Sequence, residues 1–175
     1  KGLLAETELG KSGGGRKPIL LQPLHQAGAA VALEIDISQV QAILTDLSGE
    51  RVLAREQFST LGESFPQVYH KVCQALDKLL AEMPPSPYGL VGIGVHGVVD
   101  LSGMIRFIPR LGWRNIDLRS LLEERYHVPV SLDNDGNLAA LAQQNLEQAS
   151  LGPEGQGSEA LPQSLAVVNV GDSIS

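Results

Sequence analysis

Between residues 29 and 58 three apolar runs, AAVALEID, VQAILTDL and RVLAREQF, follow one another with only ISQ and SGE between them. They read as three consecutive strands, and Ser48-Gly49 is a tight-turn signal between two of them. After residue 58 the rhythm changes. Val68, Val72, Ala75, Leu76, Leu79 and Leu80 recur at helical spacing, which predicts a helix over 64–82. MPPSP stops that helix, because proline supplies no donor and disfavours helix before it. YGLVGIGV then reads as a buried strand, MIRFIP as another and LRSLLEERY as a short helix. VPVSLD is a further strand, residues 135–149 a helix, SLGPEGQGSEALP a polar surface loop and SLAVVNV the last strand. Three strands followed by alternating helices and strands read as a mixed α/β chain with one central sheet.

The composition fits a folded domain: 175 residues, 43% hydrophobic and 19% charged. A net charge of −7 argues against wholesale coating of nucleic acid, though it leaves room for a local basic patch. Cys73 is the only cysteine, so no intrachain disulfide can form and a reducing compartment is the default. Its place in the helical run suits a small buried apolar residue. No run approaches the ~20 apolar residues of a bilayer span, and no signal peptide is visible. The expectation is a cytoplasmic protein. The chain starts mid-pattern without Met and stops just after an apolar strand, which suggests a piece of a longer protein.

Residues 1–24 read as two strands, GLLAETEL and PILLQPL, around the glycine-rich tip GKSGGGRK. Lys11, Arg16 and Lys17 cluster at that tip. A short hairpin with a basic tip suits a nucleic-acid backbone or minor groove; it also suits a solvated linker.

Two stretches invite a ligand. GIGVHG, residues 92–97, matches G-x-G-x-x-G, but that pattern marks a dinucleotide site only where a helix follows. VVDLSGMIRF follows instead, β-rich and turn-rich, so the glycines are read as letting a strand end run close to a ligand or another segment. The second stretch is Asp133-Asn134-Asp135, where a strand ends and a helix begins at once. Ligands sit at the carboxyl ends of strands in open α/β sheets, and a helix N-terminus favours a negative charge. A carboxylate there can accept hydrogen bonds from a polyol, and Asn134 can donate and accept. The carboxylate could also take a hydroxyl proton in phosphoryl transfer. The alternative is plain helix capping, for which Asp and Asn are preferred.

With those residues in view the chain resembles the ROK family of bacterial repressors, open reading frames and sugar kinases. The resemblance rests on LEIDISQVQAILTDLSGE, GIGVHGVVDLSG, FIPRLGWRNIDLRSLLEERYHVPVSLDNDGNLAALA and AVVNVGDSIS, of which the third is the most specific. It implies an actin-like, RNase H-like ATPase lobe with a mixed central sheet over residues 26–175. The sugar would lie in the cleft between this lobe and a second one. Residues 1–25 resemble the closing part of a winged helix-turn-helix, a β-hairpin wing and linker, with Lys11, Arg16 and Lys17 facing DNA. Asp135 matches the family's catalytic aspartate, Asn134 its sugar-binding asparagine, and Gly97 lies in the loop near the sugar. No cofactor is expected for these residues; the family's zinc motif belongs to a C-terminal part that this chain does not contain.

The departures from the family pattern point away from a kinase. Kinases of the family read D-I-G-G-T near the first strand; this chain reads Asp36-Ile37-Ser38-Gln39-Val40. A Cβ at each glycine position crowds a phosphate and penalises positive φ. The second phosphate loop, G-T-G in the family, reads Gly171-Asp172-Ser173, and an aspartate there repels phosphate by about 1–4 kcal/mol per charge pair at ~4 Å. His96 replaces a frequent proline and reads equally as a loop packing residue or a ligand contact, not as a catalytic group; Arg110 replaces a frequent asparagine. Arg110 suits a phosphorylated or acidic ligand, or marks a ligand function that has decayed. Trp113, in the loop after RLG, either plugs the sheet edge or stacks on a sugar.

The resulting expectation is a sugar-responsive repressor, a homodimer or homotetramer that binds operator DNA and an effector sugar held partly by Asn134, Asp135, Gly97 and Arg110. Sugar binding would shift the lobes and change the spacing of the DNA heads. The main alternative is a sugar kinase with Asp135 as general base and ATP as donor. A regulator whose cleft binds nothing is the third reading.

Overall fold

The computed structural model describes residues 4–9, 19–23, 28–49, 51–83 and 89–150. The basic tip with Lys11, Arg16 and Lys17, the segment 84–88, the strand SLAVVNV and Gly171–Ser173 lie outside the described residues.

Strands β1 (Leu4–Leu9) and β2 (Ile19–Pro23) pair antiparallel in a two-stranded sheet of their own. The main sheet follows. β3 (Ala29–Ile35), β4 (Gln39–Asp46) and β5 (Val52–Ser59) form an antiparallel meander at the positions the three apolar runs predict. In β3 every second residue is buried, with Ala29, Val31, Leu33 and Ile35 facing the core. That is the period of a pleated strand with one covered face.

Helix α1 (Phe65–Ala81) starts at Ser64, whose backbone N–H donates to Gln67 Oε1 at 2.9 Å. Pro66 sits in its first turn, where the missing donor costs nothing. Its apolar stripe buries Val68, Val72, Cys73, Ala75, Leu76 and Leu79 against β3, β4 and β5. Leu80, expected on the same stripe, is only half-buried. Cys73 is buried and free, as its place in the pattern predicts.

The chain then crosses to β6 (Gly89–Val95), which pairs parallel with β3. After α2 (Leu118–Tyr126) it returns as β10 (Val130–Asn134), parallel to β6. The main sheet therefore has the order β10-β6-β3-β4-β5, parallel on one side of β3 and antiparallel on the other. This is the mixed sheet expected from the sequence. α3 (Asp135–Ser150) follows β10 without a linking residue and crosses β6. Gly94 makes room for that crossing: a Cβ there would stand 3.2 Å from Leu138 Cδ1. Gly94 is in register with Glu34, which is exposed, so α3 lies on the opposite face from the core that α1 covers.

Between β6 and α2 the sequence reading finds one strand, and the structure has three. β7 (Val98–Val99), β8 (Ile105–Ile108) and β9 (Trp113–Ile116) form a small antiparallel sheet. β7 and β9 are short, and their pattern cannot be told from turn. Trp113 thus lies in a strand and not in a loop. It is 4% exposed and meets Phe65 edge-on, with ring centroids 5.0 Å apart. Of its two readings the plug holds: the indole is core and is not open to a ligand.

Candidate functional site

The three parallel strands end level with one another. Ile35, Val95 and Asn134 are register partners across β3, β6 and β10. The next residues along each strand, Asp36, His96 and Asp135, therefore stand side by side at the carboxyl edge, where a doubly wound sheet presents its ligands.

At β10 the acid and the amide divide the work. Asn134 caps α3: its Oδ1 accepts the Gly136 N–H at 2.8 Å and the Asn137 N–H at 3.3 Å. Its Nδ2 donates to the Gly97 carbonyl at 2.8 Å, which leaves one amide hydrogen for other use. Asp133 supports the corner, accepting the Asn134 N–H at 2.7 Å and Asn137 Nδ2 at 2.9 Å. Asp135 is the first residue of the helix. Its Oδ1 accepts the Gly136 N–H at 2.9 Å, and its Oδ2 accepts His96 Nδ1–H at 2.8 Å. The two side chains are partly open, 14% exposed for Asp135 and 22% for His96. Of the readings left open by the sequence, the structure shows the cap. Asn134 is the cap, and Asp135 reaches across to another strand.

Gly97 is wedged. A Cβ on it would stand 2.6 Å from Ile108 Cγ1 and 2.7 Å from the Phe107 carbonyl oxygen. The glycine is what lets the β6–β7 turn press against β8 and aim its carbonyl at Asn134. Gly92, the first glycine of G-x-G-x-x-G, has nothing within 4 Å of its would-be Cβ. No helix follows the motif, as the sequence reading requires for rejecting a dinucleotide site.

Gly97, Asn134 and Asp135 are therefore joined directly. Arg110 is exposed in the turn Pro109–Gly112, which begins just after Ile108, the residue that Gly97 abuts. Among the described residues no hydrogen bond links Arg110 to the other three. His96 is the residue that the structure adds to this corner, through its bond to Asp135. It is first past β6, as Asp135 is first past β10, but only the in-register pairing of those strands brings the two together. Along β10 a cleft of about 360 Å³ opens, lined among others by Asp100, Arg119, Asp133 and Asn137.

The β3–β4 turn is tied down by its own bonds and by Thr60, just past β5. Asp36 Oδ1 accepts the Ile37 N–H at 2.6 Å, and the Ser38 carbonyl accepts the Thr60 N–H at 3.0 Å. The buried Thr60 hydroxyl donates to the Ile37 carbonyl at 2.9 Å. The described non-glycine residues with positive φ are Asn115 and His127, so the turn at 36–40 uses only backbone angles open to any side chain. Among the described residues no group of three or more His, Cys, Asp or Glu could hold a metal ion, and no helix is long and apolar enough to cross a membrane.

A mixed five-stranded sheet with helices on both faces and a polar corner at its parallel edge defines a lobe of the actin-like ATPase class. Within that class the chain belongs to the ROK family, whose sequence profile matches residues 30–151. It is 37% identical over 141 residues to the xylose repressor of Bacillus subtilis (strain 168), a match that covers 79% of this chain and 36% of that protein. The xylose repressor of Caldicellulosiruptor bescii is 30% identical over 146 residues, covering 82% of this chain and 37% of that one. The chain thus spans just over a third of the length of these relatives. Among solved structures, the ROK hexokinase from Thermus thermophilus superposes with a TM-score of 0.57 at 29% identity, over 67% of this chain and 38% of that one.

Proposed function

We propose that these residues are the effector-binding first lobe of a sugar-responsive transcriptional repressor, and that the effector is a pentose, xylose foremost. The observation that carries this reading is the contrast between two neighbouring strand ends. The corner at Asn134 and Asp135 keeps acceptors and a donor suited to hydroxyls. The turn at Asp36–Val40 lacks the glycines with which a kinase admits phosphate. A repressor needs the first and not the second. Its relatives named xylose repressors support the same choice.

In this reading residues 26–175 belong to the sugar domain and residues 1–25 to a wing. Lys11, Arg16 and Lys17 contact phosphates or the minor groove of the operator. The full protein works in the cytoplasm as a homodimer or homotetramer, and any zinc it carries lies outside these residues. Asn134, Asp135 and Gly97 frame the sugar, with Arg110 at the rim. The test is operator binding by the full-length protein, followed by fluorescence anisotropy with and without D-xylose. D-Xylose is expected to release the DNA. Arg16→Ala should weaken binding evenly across sequences and lower the salt slope by about one.

A kinase reading is favoured by one observation, the carboxylate of Asp135 at a strand end where it could accept a proton. Coupled measurement of ATP consumption with a panel of pentoses and hexoses separates the two. Turnover above background would refute the repressor-only view.

A further inference from the structure

We propose that His96 is a positioning residue for ligand recognition. It fixes the Asp135 carboxylate as an oriented hydrogen-bond acceptor for a polyhydroxylated ligand. The inference rests on the reading of Asp135 as part of the sugar site and adds a residue and a role to it.

His96 is held from both sides: its N–H donates to the Ile35 carbonyl of β3 at 3.2 Å, and the next residue's carbonyl accepts Asn134 Nδ2 at 2.8 Å. Gly97 lies so close to β8 that a Cβ on it would stand 2.6 Å from Ile108 Cγ1 and 2.7 Å from the Phe107 carbonyl oxygen. The imidazole therefore leaves a backbone pinned to three strands. From there Nδ1–H reaches Asp135 Oδ2 at 2.8 Å. The Gly136 N–H, shared with Asn134 Oδ1 at 2.8 Å, also reaches the other carboxylate oxygen at 2.9 Å. A carboxylate gripped on both oxygens by donors from two different elements cannot spin about its last bond.

That grip has a chemical consequence. An ionised carboxylate offers about four lone-pair positions; here two are filled by protein donors and the remaining directions are fixed in space. Sugar isomers differ in the directions of their hydroxyls, so a fixed acceptor discriminates among them and a rotating one does not. Fixing the acceptor in advance also removes ordering cost at binding. The pair is thus suited to recognition.

The test uses full-length protein and isothermal titration with D-xylose and D-glucose. Asparagine places its Nδ2 about where histidine has Nδ1, whereas glutamine reaches the position of Nε2. His96→Asn is expected to bind within about threefold of wild type, and His96→Gln and His96→Ala to lose about 10- to 100-fold. The ratio of xylose to glucose affinity should fall in the last two and persist in His96→Asn. A role in folding alone would lower the unfolding midpoint of all three without restoring affinity and selectivity in the asparagine variant. The double variant His96→Ala with Asp135→Asn should bind no worse than Asp135→Asn alone, since one interaction is removed twice. Wild-type affinity in His96→Ala or His96→Gln, or full additivity in the double variant, overturns the proposal while leaving the sugar site standing. Wild-type affinity in Asp135→Asn, or no binding of either sugar by the native protein, overturns the site reading itself and this proposal with it.

Discussion

The three glycines of residues 92–97 should respond to alanine in a defined order, and the spread follows from the space around each. At Gly97 the added methyl would meet Ile108 Cγ1 at 2.6 Å and the Phe107 carbonyl at 2.7 Å. Ordinary contacts lie near 3.5–4.0 Å, so a shift of roughly 1 Å is required. Neither neighbour can supply it cheaply. Ile108 is 1% exposed, and Phe107 is held in the ladder between Val98 and Arg114. Overpacking of this kind costs about 1–3 kcal/mol. If the turn retreats instead, the Asn134 Nδ2 bond to Gly97 is lost, for about 1 kcal/mol more. Gly97→Ala should then cost about 2–4 kcal/mol. With a urea slope of about 2 kcal/mol per molar, the midpoint falls by about 1–2 M. Gly94→Ala meets Leu138 Cδ1, the end of a flexible side chain, at 3.2 Å and the Leu33 carbonyl oxygen at an ordinary 3.9 Å, and should cost less than about 1 kcal/mol. Gly92→Ala meets nothing within 4 Å and should be neutral or stabilising by about 0.4–1 kcal/mol through the unfolded chain. Emission of Trp113, the one tryptophan of the sequence and buried against Phe65, reports the transition. Equal midpoints for the three variants, or Gly97→Ala matching Gly92→Ala, would refute the packing argument.

Leu76→Ala removes a fully buried side chain from the α1 face and should cost about 2–5 kcal/mol in urea unfolding. His127 ends α2 with φ of 54°, so His127→Gly should raise the midpoint by up to about 1 kcal/mol in stability. The Ser102 hydroxyl, then the Met104 N–H, hold the Asp100 carboxyl at about 2, down from its ordinary 3.8. A depressed carboxyl contributes to stability above the unfolded value and loses that contribution as pH falls through about 2. Carbon-13 titration of Asp100 should therefore show a midpoint near 2, and one near 3.8 would count against the turn as drawn.

Much of this molecule is written in local pattern. The alternation in AAVALEI and the helical spacing from Val68 to Leu79 each depend only on which face of an element meets water, and both elements are found where those periods place them. The rejection of a dinucleotide site needed only the residues after Gly97. The acid and amide at the end of β10 were visible for the same reason: a strand that stops and a helix that starts leave their marks in neighbouring residues. Other features were not legible there. β7 and β9 have too few residues for a period to show, and their pairing is decided by what they fold against. Trp113 could be read as exposed or buried until Phe65, forty-eight positions earlier in the chain, was found lying against it. His96 and Asp135 are thirty-nine residues apart. Their meeting depends on two parallel strands ending level, a matter of register that local sequence does not carry. Local sequence selects the elements, because their periods are set within a few residues; the site exists only in the tertiary structure, because its parts come from strands that the chain visits far apart and the sheet alone lines up.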